Sequence, residues 1–291
     1  MTDPAASDPH AGETVEIAVR DLQDRLAAVD ELRDALPGLE PDRQITDWGR
    51  SERIERLVDR TLVGFLYHYW FRVEVEGVEN VPSEGGAMLV ANRGGAGPPD
   101  GAMIAKALAQ EHPRPRPLHL STERTFAGVP GVGMLVTKLG GVAAHPANVH
   151  RLLFDESQLV LVFPEGRSGK PLSERYRLAK FGGGEYVEAA MRARAPIVPI
   201  AVLGAEEAVP VFARVNPLRR LTRLPRVPVM PPVPLPAKFR IRFLEPVNTD
   251  GLGDAPWQDR GLVQSLSHEI RALIQENLLE LVAQRRSVWL G

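Results

Sequence analysis

Short unbroken apolar runs alternate along this chain with longer stretches in which apolar positions return every three or four residues. Met88-Leu89-Val90-Ala91, Leu159-Val160-Leu161-Val162-Phe163 and the run 197–203 have the continuous character of strands buried on both faces. Less regular runs at 73–81, 117–121, 141–144 and 239–243 read as further strands. Helical spacing predicts helices over 101–110, 130–139, 149–154, 184–194 and 257–284. Strands and helices alternating in this way predict an α/β fold: a mostly parallel mixed sheet flanked by helices on both faces.

Ahead of the first strand the pattern is helical. A polar tail to about Gly12, too poor in apolar residues to pack, precedes a stretch over 14–36 with Val15, Ile17, Val19, Leu22, Leu26, Val29 and Leu32 close to helical spacing. Pro37-Gly38 stops it. After a connector, Ser51 stands where a helix cap belongs, followed by Ile54, Leu57, Val58, Leu62, Phe65 and Leu66. The expected organisation is therefore a tail and amphipathic helix over 1–46 and one α/β domain over 47–291.

Composition narrows the function classes. The 291 residues suffice for one large α/β domain with a substantial core. With 35 basic and 37 acidic side chains the formal net charge is −2, which gives no global case for nucleic-acid binding. The chain has no cysteine, which removes disulfides, thiolate metal sites and a cysteine nucleophile and suits a reducing cytosol. Met1 to Asp8 lacks the basic head and apolar core of a secretion signal. No apolar run approaches the ~20 residues that span a bilayer; the longest, 62–71, is about half that. The expectation is a cytoplasmic protein, soluble or lying on the inner face of the membrane.

The candidate chemistry sits where two strands end. The run 159–163 stops on Phe163-Pro164-Glu165-Gly166, and Arg167 follows directly. The run 88–91 stops on Asn92-Arg93-Gly94-Gly95-Ala96-Gly97-Pro98-Pro99-Asp100-Gly101. Open α/β sheets hold their ligands beyond the carboxyl ends of strands, so these two turns are expected to form two walls of one cleft. Gly-x-Ser-x-Gly, Walker and His-Glu-x-x-His motifs are absent from the sequence.

Together with the lead-in 71–82 and the strand 195–201, these blocks resemble the glycerophospholipid acyltransferase family, whose best-known members acylate lysophosphatidic acid. The resemblance covers about 47–247. In that family a His just after the first strand is the general base and an Asp orients it. Asp100 matches the longer-spaced form of the motif, and Arg93 stands at the His position. A guanidinium only donates hydrogen bonds and is no base near neutral pH. The resemblance thus implies Asp100 and Arg93 as the catalytic pair, with Glu165, Gly166 and Arg167 at the acceptor's polar head. The block 140–145 borders the substrate site in the family, which marks His145, although a packed or surface histidine is the plainer reading. Where many members end this block in an arginine, the chain has His145-Pro146.

The implied activity is transfer of an acyl group from acyl-CoA or acyl-carrier protein to a hydroxyl of a lysophospholipid or related polar lipid. No metal or prosthetic group is implied. The alternative is a homologue that lost its base and binds lipid or acyl groups without turnover. A membrane partner is suggested by the basic, proline-rich stretch 214–242, which has no acidic residue, and by the helix 51–70 with its terminal aromatics.

Overall fold

The computed structural model describes residues 46–94, 99–122, 132–166, 174–215, 227–229, 231 and 233–289. The tail and the helix expected over 14–36 lie outside them. A compact unit spans Ile45–Gly291.

Its strands are β1 (Glu74–Glu76), β2 (Ala87–Ala91), β3 (Leu118–Thr122), β4 (Gly141–Ala143), β5 (Leu159–Val162), β6 (Ile197–Leu203), β7 (Ala213–Val215), β8 (Val227–Val229) and β9 (Arg240–Phe243). Its α-helices are α1 (Glu52–Val58), α2 (Pro99–Glu111), α3 (Val132–Lys138), α4 (Pro146–His150), α5 (Glu185–Ala193), α6 (Ala205–Ala208) and α7 (Arg260–Gln284). Seven strands form one sheet in the order β1-β9-β6-β2-β5-β3-β4. All its neighbours run parallel except β6 and β9. β7 and β8 make a separate antiparallel ribbon.

The sheet is the middle of three layers. Met88, Val90 and Val160 face a core completed by α5 and α7; Leu89, Ala91, Leu159 and Leu161 face a second core completed by α2 and the helix that begins with α1. Strands buried on both faces have no position at which a polar residue is tolerated, which is why β2, β5 and β6 are apolar throughout. The long helix α7 starts on Asp259, whose Oδ1 accepts from the amides of Gly261 and Leu262 at 2.8 and 3.1 Å. Its Val263, Leu266, Ile270, Ile274, Leu278 and Leu281 are buried, and each contributes on the order of 1.5–3 kcal/mol.

Local expectations needed correction at three places. The run 73–81 is not one strand: β1 ends at Glu76, Gly77 turns at φ +70°, and Val78–Asn80 forms a single 3-10 turn. The helix expected over 149–154 starts earlier, at Pro146, and closes through a π turn over Arg151–Asp155. Ser51 does occupy the N-cap position of α1 but makes no side-chain cap bond. Beyond Val58 that helix continues through π turns over Asp59–Val63 and Leu66–Trp70.

Candidate active site

β2 and β5 are neighbours in parallel register, Ala87 opposite Leu159 and Val90 opposite Val162, so their C-terminal turns leave the same rim of the sheet. The two turns are bonded to each other. Glu165 Oε1 accepts the main-chain amide of Arg93 at 3.0 Å, and its Oε2 accepts that of Ala179 at 2.7 Å. Glu165 therefore ties three segments of the rim together. Gly166, just beyond, turns at φ +67°, a conformation that side chains with a Cβ rarely adopt.

The turn after β2 is anchored on its other side by Asn92, buried at the strand end. Its amide donates to Val202 O at 2.9 Å and its Oδ1 accepts from Val202 N at 2.7 Å, so the side chain extends the β2–β6 pairing by one rung. Gly94 then passes so close to α6 that a Cβ would lie 2.7 Å from Ala205 Cβ and 2.8 Å from Glu206 N. No other residue fits this passage without a backbone shift.

Asp100 lies in the first turn of α2 and is 1% exposed. Its Oδ1 accepts the amide of Gly101 at 2.9 Å; its Oδ2 has no hydrogen-bond partner among the described residues. Burial pushes its pKa up from 3.8 to about 6, against the opposing pull of the Arg93 cation and of backbone amides. The Arg93 guanidinium lies over the Phe163 ring at 4.6 Å, and its Nε, also buried, has no partner among the described residues. Among the described residues no imidazole acts on Asp100. The structure thus brings Arg93, Asp100 and Glu165 together. Arg167 lies outside the described residues.

His145 and Gly166 belong to an adjoining cleft on the other face of the sheet. It encloses about 260 Å³ and is lined by Met88, Val149, Val162, Phe163, Tyr186 and Ala189, with His145, Pro164, Gly166 and Glu185 at its polar side. The His145 Nδ1 caps α4 by accepting from Ala147 N at 3.2 Å. The glycine run before α5 does not offer a free anion site, since Glu185 and Glu188 fill the first turn of that helix and already answer its dipole. The run 197–203 is core throughout. Of the other histidines, His112 bonds the carbonyls of Val81 and Arg114. His119 sits near the start of β3, at the opposite rim, where burial lowers its pKa to about 4.

Two groups escaped the sequence. One is Asn92. The other is a buried cluster in which Glu207 pairs with Arg285 at 2.5 Å and accepts from the Tyr176 hydroxyl, while Tyr176 N donates to Glu206 Oε2 at 2.9 Å. This cluster fixes the segment entering Ala179, the second amide held by Glu165. Among the described residues no group of three His, Asp or Glu side chains is placed to hold a metal.

The frame is thus a mostly parallel α/β sheet with a buried carboxylate, Asp100, and an arginine, Arg93, at its C-terminal rim. The Acyltransferase family matches residues 72–203. Uncharacterized proteins of Mycobacterium tuberculosis and Mycobacterium leprae are 38% identical over 290 residues, matching 96% of this chain and 80% and 78% of their own lengths. Among solved structures, the 1-acyl-sn-glycerophosphate (LPA) acyltransferase PlsC from Thermotoga maritima superposes with a TM-score of 0.55 over 81% of this chain and 80% of that one, at 20% identity. The chain belongs to one family with these mycobacterial proteins and carries an Acyltransferase domain over residues 72–203.

Proposed function

We propose that the protein transfers a fatty acyl group from an acyl-CoA or acyl-carrier-protein thioester to a hydroxyl of a lysophospholipid or related polar lipid. The observation that carries this reading is the convergence of Arg93, Asp100 and Glu165 at one rim, with Glu165 Oε1 on Arg93 N at 3.0 Å. The apolar cleft beside Phe163 and Gly166 suits the start of an acyl chain, and His145 and Glu185 mark its polar mouth. The thioester is a co-substrate, and the reading requires no metal or prosthetic group.

The reaction would occur on an anionic membrane surface, the cytoplasmic leaflet. The helix from Glu52 to Trp70 exposes Leu57 (61%), Leu62 (54%), Phe65 (47%) and Tyr69 (73%), beside a groove lined by Arg53, Arg56 and Arg60. A π turn over Asp59–Val63, closed by Gly64 N on Asp59 O, widens the helix between Leu57 and Phe65. Trp70 Nε1 donates to Pro234 O at 3.0 Å, tying this helix to the proline-rich stretch, where Val229 and Val233 are also exposed, as is Phe212 just before it. Within 214–242, Lys238, Arg240 and Arg242 are not part of the lipid-facing charge, because they pair with Glu74, Glu76 and Glu280. Arg219, Arg220, Arg223 and Arg226 lie outside the described residues. No helix of the described residues is long and apolar enough to cross a membrane.

Arg93 at the base position favours one second reading, a lipid- or acyl-binding protein without turnover. Purified protein incubated with acyl-CoA and lysophosphatidic acid separates the two by release of free thiol. Acyl transfer predicts acceptor-dependent release by the parent. Turnover that arises only in Arg93→His would establish the binding protein instead.

A further inference from the structure

Two polar atoms at the rim stand buried without a partner among the described residues, Asp100 Oδ2 and Arg93 Nε. Such atoms are uncommon in folded proteins and ask for an occupant. One accepts and the other donates, and both belong to side chains held in place: Asp100 by the Gly101 amide, Arg93 by Glu165 on its backbone and Phe163 under its guanidinium. The small group that satisfies an acceptor and a donor at once is a hydroxyl, with one O–H to give and lone pairs to receive. Resting on the acyl-transfer reading above, we propose that Asp100 Oδ2 itself takes the proton of the acceptor lipid's hydroxyl while Arg93 Nε–H holds the same oxygen. No histidine and no intervening water takes part.

The step balances without a further reactant. The O–H bond breaks, its proton passes to Asp100, and the oxygen bonds the thioester carbonyl carbon as the carbonyl pair moves onto its oxygen. That pair returns, the C–S bond breaks, and Asp100 gives the proton to the departing sulfur. The products are an ester and a free thiol, with Asp100 ionised again. A carboxylate is ordinarily too weak a base for this role, but burial raises Asp100 to about 6, close to the operating pH that favours general-base catalysis. Arg93 serves a second end here, because its cation keeps the buried carboxyl from remaining protonated near neutral pH.

The test is the pH dependence of kcat/KM for thiol release from acyl-CoA with lysophosphatidic acid, in wild type, Asp100→Asn, Asp100→Glu and Arg93→Ala. Wild type is expected to lose activity on an acid limb near pH 6. Asp100→Asn is expected to fall about 10²–10⁴-fold while still sedimenting with vesicles containing lysophosphatidic acid, and Asp100→Glu to recover part of the loss. Arg93→Ala removes the nearby cation, so its acid limb moves to higher pH. An Asp100→Asn enzyme with wild-type kcat, or an Arg93→Ala limb that does not move, overturns this assignment and leaves acyl transfer standing. A wild-type protein that releases no thiol overturns the underlying reading as well. Should Asp100→Asn fail to fold, the Arg93→Ala limb decides alone.

Discussion

Replacing Asp100 by Asn should stabilise the protein near neutral pH, by an amount that depends on pH in a defined way. The carboxyl is 1% exposed and its pKa rises from 3.8 to about 6 on folding, with burial outweighing the Arg93 cation and the surrounding amides. A raised carboxyl pKa means that the folded state holds its proton more tightly than the unfolded chain. Below 3.8 both states are protonated and nothing is lost. As pH rises toward 6 the unfolded chain gives up the proton first, so stability falls; above about 6 both are ionised and the cost is complete. At 1.36 kcal/mol per pKa unit the whole effect is about 3 kcal/mol. For a domain of this size that corresponds to roughly 6–12 °C in Tm, at about 2–4 °C per kcal/mol. The assay is urea unfolding of wild type and Asp100→Asn across this pH range, with the difference in unfolding free energy plotted against pH. The attraction of Arg93 acts only on the ionised carboxylate and is already contained in the value of about 6, whereas any difference in packing of the amide offsets the curve by a constant, so the pH-dependent part is the quantity to read. It should favour the variant increasingly from about pH 4 to pH 6 and then level off. A flat difference, or one of opposite slope, would refute the claim that burial governs this group. Glu165, the other carboxylate at the rim, is unchanged in both proteins and cancels.

Other perturbations test the frame around the site. Asn92→Ala leaves the amide and carbonyl of Val202 without partners in the core and should destabilise by about 2–4 kcal/mol in urea unfolding. Arg285→Met strands the buried Glu207 carboxylate and should cost about 3–5 kcal/mol, whereas Arg285→Met with Glu207→Leu should recover most of that stability. Phe65→Asp and Leu57→Asp should each weaken sedimentation with anionic vesicles by about tenfold or more, since each removes an apolar group worth about 1.5–3 kcal/mol on insertion. Raised salt should weaken the same binding in wild type by screening Arg56 and Arg60.

The architecture was legible wherever burial on both faces made the sequence monotonous. Ala87–Ala91, Leu159–Val162 and Ile197–Leu203 stand out because a covered parallel strand admits nothing polar. β9 was readable as a strand but not as the antiparallel partner of β6, since its Arg-Ile-Arg-Phe alternation says which face is wet and not which way the neighbour runs. The early start of α4 is marked in the sequence by Pro146 in the first helical position, preceded by His145 as cap. At the site, Arg93, Asp100 and Glu165 were visible because their turns carry unusual glycine and proline spacing. Asn92 and the Glu207–Arg285 pair were not. Their partners lie 110 and 78 residues away in sequence, and no local pattern reports which distant carbonyl or cation a buried polar side chain will meet.

The rim holding Arg93 and Asp100 either performs chemistry or only binds its ligands. The most direct measurement is mass analysis of the lipid recovered after purified protein is mixed with an acyl-CoA and lysophosphatidic acid in anionic vesicles. An acceptor heavier by one acyl group, formed in step with free coenzyme A and abolished in Asp100→Asn, is the predicted result. Lipid and thioester recovered unchanged, although both bind, would contradict it.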